Sequence, residues 1–553
     1  MTSLLIQFAT SALPAGELTY LRAQGHDIVD AKGEKVLLRG VGLGNWMLPE
    51  GYMWKFGERG DRPRRIEQLI SELIGPEKAN QFWSEFRQGF ITEADIRRIA
   101  ELGYNSVRPA LNARLFITET DPPRPFEEGF QLLDNLVKWC KTHGLYVIID
   151  MHGAPGGQTG QNIDDSANDL PELFMDTKYQ DRLVDLWVAI ARRYKDEPTV
   201  AGYDLLNEPL PERTGAAAKY KHLVEPLYQR LTRAIRAVDA KHMIILEGVD
   251  WANDWSIFTQ PFDANLVYQF HYYCWDTPVK LKGVDRYLDY RKRFNAPIWV
   301  GETGERDNTI YWGTTEYFEA NNIGWSFWPW KKMDTANTPY SINRPQHWAA
   351  VAAYSRGGAK PDRKIAEQAF AELLVNIRLE KCVYHAGVVN AMLRRVPARI
   401  EGENFGHEGL DVSYSVNSKT RRSKFYRTED PVPVQVRETQ RPRTDQFILL
   451  STNEWTVYKI ESNSPRLCAI TLRVCAVESP AAAQLQINDR SVDVTVSEKS
   501  WAEVKLDAMP FNRGVNQLKW TVKRGSVGLD WLDVKPAAGE QPDHNNGSPT
   551  AGN

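Results

Sequence analysis

Eight short apolar runs, each separated from the next by a stretch of helical periodicity, most limit how this chain folds. They cover residues 36–42, 106–109, 146–151, 201–206, 243–247, 266–270, 298–301 and 324–328. Short apolar runs bounded by turn residues read as strands buried on both faces. Between them, 92–102 reads as a helix with Thr92 as N-cap, Asp95 in its first turn and Gly103 at its end. Another helix runs over 178–194, with Leu183, Leu186, Trp187 and Ile190 at helical spacing. Strand–helix alternation predicts a parallel sheet covered by helices, and eight strands is the number that closes a (β/α)8 TIM barrel.

A barrel takes about 250 residues or more, so a chain of 553 has room for a second domain. From Arg399 the texture changes to closely spaced strands at 447–450, 456–460, 469–474, 484–487 and 517–522, the pattern of an all-β sandwich of the jelly-roll type. The division read here is a catalytic barrel over 17–375, a helical connector over 376–398, a β-sandwich over 399–536 and a disordered tail over 537–553, where Pro, Gly, Asn and Asp dominate.

With 68 basic against 71 acidic residues, a net charge of −3 and no basic block, nucleic acid and anionic membrane are poor partners. No apolar stretch approaches the ~20 residues that span a bilayer. Cys468 and Cys475 share one predicted strand, beyond disulfide reach at ~3.3 Å per residue; Cys140, Cys274 and Cys382 complete a sparse, odd set without sign of an oxidising compartment. The apolar patch Leu4 to Phe8 has no Lys or Arg before it, which makes it a weak signal peptide or a trimmed remnant of one. A secreted or periplasmic location is the expectation.

Two of the predicted strands lead into a carboxylate. Glu208 closes Tyr203-Asp204-Leu205-Leu206-Asn207-Glu208, before Pro209, and Glu302 closes Pro297-Ile298-Trp299-Val300-Gly301-Glu302. Asn-Glu-Pro alone is also what a strand end followed by a turn looks like, because proline pushes the preceding residue towards extended geometry. In a barrel, however, catalytic groups stand at the carboxyl ends of strands. Two acids so placed are what glycosidic hydrolysis requires, one to protonate the leaving oxygen and one to attack the anomeric carbon.

At this point the residues resemble a known family. Arg108 in Asn-Ser-Val-Arg-Pro, His152 in Ile-Asp-Met-His-Gly, Asn207-Glu208 in Leu-Leu-Asn-Glu-Pro, His271 and Tyr273 in Phe-His-Tyr-Tyr, Glu302 in Val-Gly-Glu-Thr-Gly and Trp328 in Trp-Ser-Phe-Trp match glycoside hydrolase family 5 in order, over residues ~35 to 335. The resemblance implies a retaining enzyme with Glu208 as acid/base and Glu302 as nucleophile, needing no cofactor. It implies that Asn207 holds the sugar 2-hydroxyl, that Arg108 and Tyr273 keep Glu302 ionised, that His152 and His271 orient hydroxyls or tune the acid, and that Trp328 is a sugar platform. For Trp251, Trp255, Trp275 and Trp330, subsite and core remain open.

Residues 39–50 and 150–160 are more similar to exo-β-1,3-glucanases, which implies that Glu50 grips a terminal glucose and that the 153–165 loop walls the glycone side. His-Tyr-Tyr-Cys-Trp and Gly-Glu-Thr-Gly-Glu depart from the exoglucanase pattern. The expected substrate is a β-glucan or β-glucoside cut from its end; the alternatives are an endo-β-1,4-glucanase or mannanase, and a carbohydrate-binding protein on an inactive barrel. Residues 400–405 and 528–534 resemble family 6 or 35 carbohydrate-binding modules, which implies a structural calcium at Glu401, Glu403 and Asp530, suited by hard oxygen ligands. Against this stands the reading of these acids as solvated charges at strand ends.

Overall fold

The computed structural model describes residues 18–274, 281, 283–420, 423, 426–437 and 446–539. The patch Leu4 to Phe8, Trp275 and the tail from 540 lie outside the described residues.

The eight runs form a closed parallel barrel of β1 (Arg39–Leu43), β2 (Ser106–Asn112), β3 (Tyr146–Gly153), β4 (Val200–Asp204), β5 (Met243–Glu247), β6 (Leu266–His271), β7 (Ile298–Gly304) and β8 (Gly324–Trp328). Each strand pairs with its successor, and β8 closes on β1 with Ser326 opposite Gly40. Strand limits differ from the expectation in two instructive places. Apolar character continues through Leu205 and Leu206, both fully buried, but pairing stops at Asp204, where the chain begins its turn to Glu208. The expectation for 298–301 stops short, because β7 carries on through Glu302 to Gly304.

The helix at Glu93–Glu101 has the expected cap, the Thr92 N–H donating to Asp95 Oδ2 at 2.9 Å. Asp95 Oδ1 is also the acceptor for Lys331 Nζ at 2.9 Å and Trp330 Nε1 at 3.0 Å, so Trp330 is a core residue tied to a buried ion pair. Trp255 is likewise core, whereas Trp251 is only half-buried, under the Arg213 guanidinium. The second expected helix spans Thr177–Tyr194, and the side chain of Asp176 caps it.

Beyond the barrel, helices at Arg363–Asn376 and Ala386–Met392 lead into two facing antiparallel sheets. One is built on Gln446–Ser451, Arg466–Ala476, Ala502–Phe511 and Ser526–Pro536, the other on Trp455–Ser462, Ala481–Ile487, Arg490–Val496 and Gly514–Arg524. Leu472, Val474, Leu485, Leu518, Trp520 and Leu529 fill the space between them. The two bodies share the helix Asn308–Ala320: its Trp312 packs into the sandwich core, and its Glu319 is held by Arg394 Nη2 at 2.5 Å, Arg39 Nη2 at 2.6 Å and Trp325 Nε1 at 3.0 Å. Among the described residues no disulfide joins any of the five cysteines, and no helix is long and apolar enough to cross a membrane.

Candidate active site

The carboxyl ends of the barrel strands converge on Arg108. This side chain of β2 points into the closed barrel and is wholly buried. Its Nε donates to Asp204 Oδ2 at 2.9 Å, Nη1 to Glu302 Oε1 at 2.6 Å, and Nη2 to Asn207 Oδ1 at 2.8 Å and Glu247 Oε1 at 3.0 Å. Asp150 Oδ1 lies 3.2 Å from Nη2. The oxygens of Asp150, Asp204 and Glu247 come within 4.8 Å of one another, a spacing that a metal ion also uses, but here the guanidinium joins them.

Glu208 follows β4 in a left-handed conformation, φ 43°, with Leu210 at 52° on the far side of Pro209. Such backbone costs of order 1–3 kcal/mol in a residue with a side chain and persists where the surroundings hold it. The holding groups are visible. The Glu208 N–H donates to Glu247 Oε2 at 2.7 Å, and the Gln158 amide donates to the carbonyls of His152 (2.6 Å) and Asn207 (3.0 Å). Gln269 Nε2 steadies Glu247 in turn at 2.6 Å, and a side chain at Gly301 would run into Gln269.

His271, ending β6, stands between the two acids. Its Nδ1 is 2.6 Å from Glu208 Oε1 and 3.6 Å from Glu302 Oε2. One oxygen of Glu208, one of Glu302 and a ring nitrogen of His271 all lie within 4.8 Å of one another. Tyr273 donates its hydroxyl to Glu302 Oε2 at 2.5 Å.

These contacts push the two acids apart in pKa. Burial raises Glu208 above the usual carboxylate value, and Glu302 and Glu247 add to this against the pull of His271. Glu302 is buried as well, which by itself would raise it, but His271, Arg108, His152 and the Tyr273 hydroxyl bring it below the usual value. Burial opposes the charged form of His271, yet Glu247, Glu302 and Glu208 raise its pKa well above the ordinary imidazole range. Two carboxyls whose environments separate their pKa values are the arrangement of an acid and an anion working as a pair.

His152 is anchored to Asp150 Oδ2 at 2.8 Å, and its Nε2 lies 3.4 Å from Asn207 Nδ2. Trp328 stacks on the His152 ring at 5.2 Å, and a side chain at Gly42 or Gly44 would collide with the indole. That leaves Trp328 only 3% exposed. Glu50 is 2% exposed and its Oε1 has no hydrogen-bond partner. Burial, then Glu302, Glu305 and Glu208, raise its pKa well above normal, which places it in the same field as the pair. In the 153–165 loop, the Asp164 carboxylate accepts from the N–H groups of Thr159, Gly160 and Ser166 at 2.7–3.1 Å and so pins the loop.

Several site groups were missed by sequence reasoning. Glu247, Asp150 and Asp204 are carboxylates at or near the ends of predicted runs, the same signal that singled out Glu208 and Glu302. Tyr52, Glu305 and Lys332 form a chain beside Trp328: the indole N–H donates to Tyr52 Oη at 3.1 Å, the Tyr52 hydroxyl to Glu305 at 3.1 Å, and Lys332 Nζ to Glu305 at 2.7 Å. Only Glu305 left a trace in the sequence, lying in the Gly-Glu-Thr-Gly-Glu departure.

Asp530 is taken by Arg437 Nη1 at 2.5 Å and Arg473 Nη1 at 3.0 Å. Glu401, Glu403 and Asp530 are not among the sets of three described residues whose ligand atoms lie within 4.8 Å of one another.

A model of the cellulase family (glycosyl hydrolase family 5) matches residues 72–334. A β-xylosidase of Phanerodontia chrysosporium is 34% identical over 46% of this chain and 52% of its own length. A probable glucan 1,3-β-glucosidase A of Emericella nidulans is 30% identical over 53% of this chain and 71% of its own length. Endoglucanase C of Acetivibrio thermocellus is 30% identical over 35% of this chain and 53% of its own length. The chain spans about half the length of the first and third of these relatives.

Proposed function

This chain belongs to glycosyl hydrolase family 5, and from that premise we propose that it is a retaining β-glycosidase acting on β-glucans or β-glucosides, with Glu208 as acid/base and Glu302 as nucleophile. In the first step Glu302 attacks the anomeric carbon while the Glu208 carboxyl gives its proton to the leaving oxygen. In the second, the Glu208 carboxylate takes a proton from water as that water displaces Glu302, and the sugar leaves with its configuration retained. Arg108 and Tyr273 keep Glu302 anionic, and Asn207, itself held by Arg108, is placed for the sugar 2-hydroxyl. Nothing in this sequence calls on a cofactor, and no step runs through calcium.

The observation that carries the reading is the pair itself. Oxygens of Glu208 and Glu302 approach within 4.8 Å, with His271 beside both, and their pKa values are driven in opposite directions. Retaining carboxyls stand ~5–5.5 Å apart, whereas inverting ones need ~6.5–9.5 Å to admit a water.

We place the enzyme among exo-acting glucosidases on the strength of Glu50, a buried carboxylate with an unpartnered oxygen in the field of the pair. Charged acceptors make the stronger hydrogen bonds, ~1.5–3 kcal/mol each, so Glu50 is suited to hold the hydroxyls of a terminal sugar. The test is turnover of aryl β-glucoside and β-xyloside with NMR of the first anomer released, then products from laminarin, cello-oligomers and mannan. Glucose alone from laminarin fits the exo reading, a ladder of oligomers replaces it with an endo one, and inversion removes the assignment. No turnover at all leaves a carbohydrate-binding protein on an inactive barrel.

A further inference from the structure

A cavity of about 620 Å³ lies at the seam between barrel and sandwich. Arg306, Asp307 and Asn308, which follow β7, and Asn337, which follows β8, line it from the barrel side; Glu401 and Glu403 line it from the sandwich. The glutamates sit on a turn closed by the Asn404 N–H donating to the Glu401 carbonyl at 2.9 Å. The seam is tied nearby by the Asn404 amide, which donates to the Thr309 carbonyl at 3.5 Å.

Glu403 carries the argument. It is 3% exposed, and its Oε2 has no hydrogen-bond partner. Burial and the Glu401 carboxylate push its pKa well above normal, and burial with Asp530 pushes Glu401 up to about 7. A buried acceptor left unpaired is costly, and a ligand bearing donors would recover that cost.

The size and spacing decide what kind of ligand. Among the described residues, three ligating His, Cys, Asp or Glu atoms come within 4.8 Å of one another in two places, both inside the barrel, and the acids of this cavity form no such set. Its volume is instead within the ~300–1,000 Å³ of small-molecule sites. Carboxylates supply acceptors and the guanidinium and amides supply donors, the mixture that hydroxyls, each both donor and acceptor, can use together. The cavity also adjoins the catalytic face: Glu305, one residue before Arg306, holds Tyr52 and Lys332 beside Trp328.

We propose that this cavity is a second carbohydrate site, separate from the catalytic pair, that takes a neutral hydroxyl-rich glycosyl unit at the barrel–sandwich seam. The choice of ligand class rests on the glycosidase reading. The unit comes either from a remote part of a polysaccharide or from free released sugar, and chain length tells the two apart.

The test uses the full chain carrying Glu302→Gln, with calorimetric titration of laminarihexaose, cellohexaose and glucose. Ala336→Trp fills the cavity from an exposed lining position, and Glu403→Leu removes the acceptor. Loss of one hexasaccharide site, or at least a tenfold fall in affinity, in both variants supports a polysaccharide ligand; loss of glucose binding alone supports the released sugar. In protein with native Glu302, Ala336→Trp is expected to raise KM on the polysaccharide about fivefold or more while kcat on an aryl β-glucoside stays unchanged. Unaltered titrations and KM in both variants overturn the proposal, as does calcium chloride binding that Glu403→Leu abolishes without any sugar effect. If the native protein turns over no glycoside but the variants still lose sugar binding, the second site stands and the glycosidase reading falls.

Discussion

In the barrel, the Arg108 guanidinium serves Asp150, Asp204, Glu247 and Glu302 together; in the sandwich, two guanidinia, Arg437 and Arg473, both go to Asp530 while Glu403 keeps an oxygen without a partner. The pKa consequences differ accordingly. The barrel drives Glu208 up and Glu302 down, whereas Glu401 and Glu403 both rise. Burial is common to both clusters, so what separates a reacting pair from a recognition surface is where the permanent positive charge is placed.

The largest effect expected is on chemistry. Glu302→Gln should lower kcat on every substrate by a factor on the order of 10⁵ or more, as removal of a nucleophile does elsewhere. Glu208→Ala should cost ~10²–10⁴ on natural glycosides but spare the first step for dinitrophenyl glycosides, whose leaving group needs no proton. Equal losses on both substrate types in both variants would break the contrast between the two acids.

Stability comes next. Arg108→Leu leaves the barrel carboxylates with no central cation, and breaking a buried pair in this way costs about 3–5 kcal/mol, read as a fall in the urea midpoint. Between the two bodies, Glu319 is buried, which alone would raise its pKa, but Arg39 and Arg394 lower it to about 2. A carboxylate depressed in the folded state contributes stability above its unfolded value of about 4.5 and loses it as pH falls towards about 2. That contribution is on the order of 3 kcal/mol, so Arg394→Ala should flatten the acid side of the stability curve, measured by Tm from pH 6 to 2.5.

Smaller still, Tyr273→Phe removes a donor that favours ionised Glu302. The acid limb of kcat/KM should move to higher pH, with about tenfold lower activity on that limb, since one pKa unit is ~1.4 kcal/mol. The smallest effect separates the clusters most sharply: Glu403→Leu should change folding stability by less than ~1 kcal/mol, because the buried Oε2 it deletes has no partner to lose. A loss comparable to that of Arg108→Leu would mean that the sandwich acids are structural after all.

The period of apolar residues was enough to read the barrel. Eight runs appeared at their places, two of them, 243–247 and 324–328, with their limits unchanged in β5 and β8. The strand-ending signal also held more than was taken from it, because Glu247 stands at the end of β5 just as the two catalytic candidates stand near the ends of β4 and β7. Where pairing stops in β4 was not legible, since Leu205 and Leu206 are as apolar and as buried as the strand before them.

What the sequence determined by itself is local: which runs are strands, and which acids stand at their ends. Hydrophobic periodicity and strand-end position are properties of neighbouring residues. Only the tertiary structure decided the partners: Gln158 beneath Asn207, Tyr52 and Lys332 on Glu305, two arginines on Asp530, and Asp307 across a cavity from Glu401. Most of these groups come from segments far apart in the chain, and the charge that moves a pKa acts through space, so no spacing along the sequence encodes it.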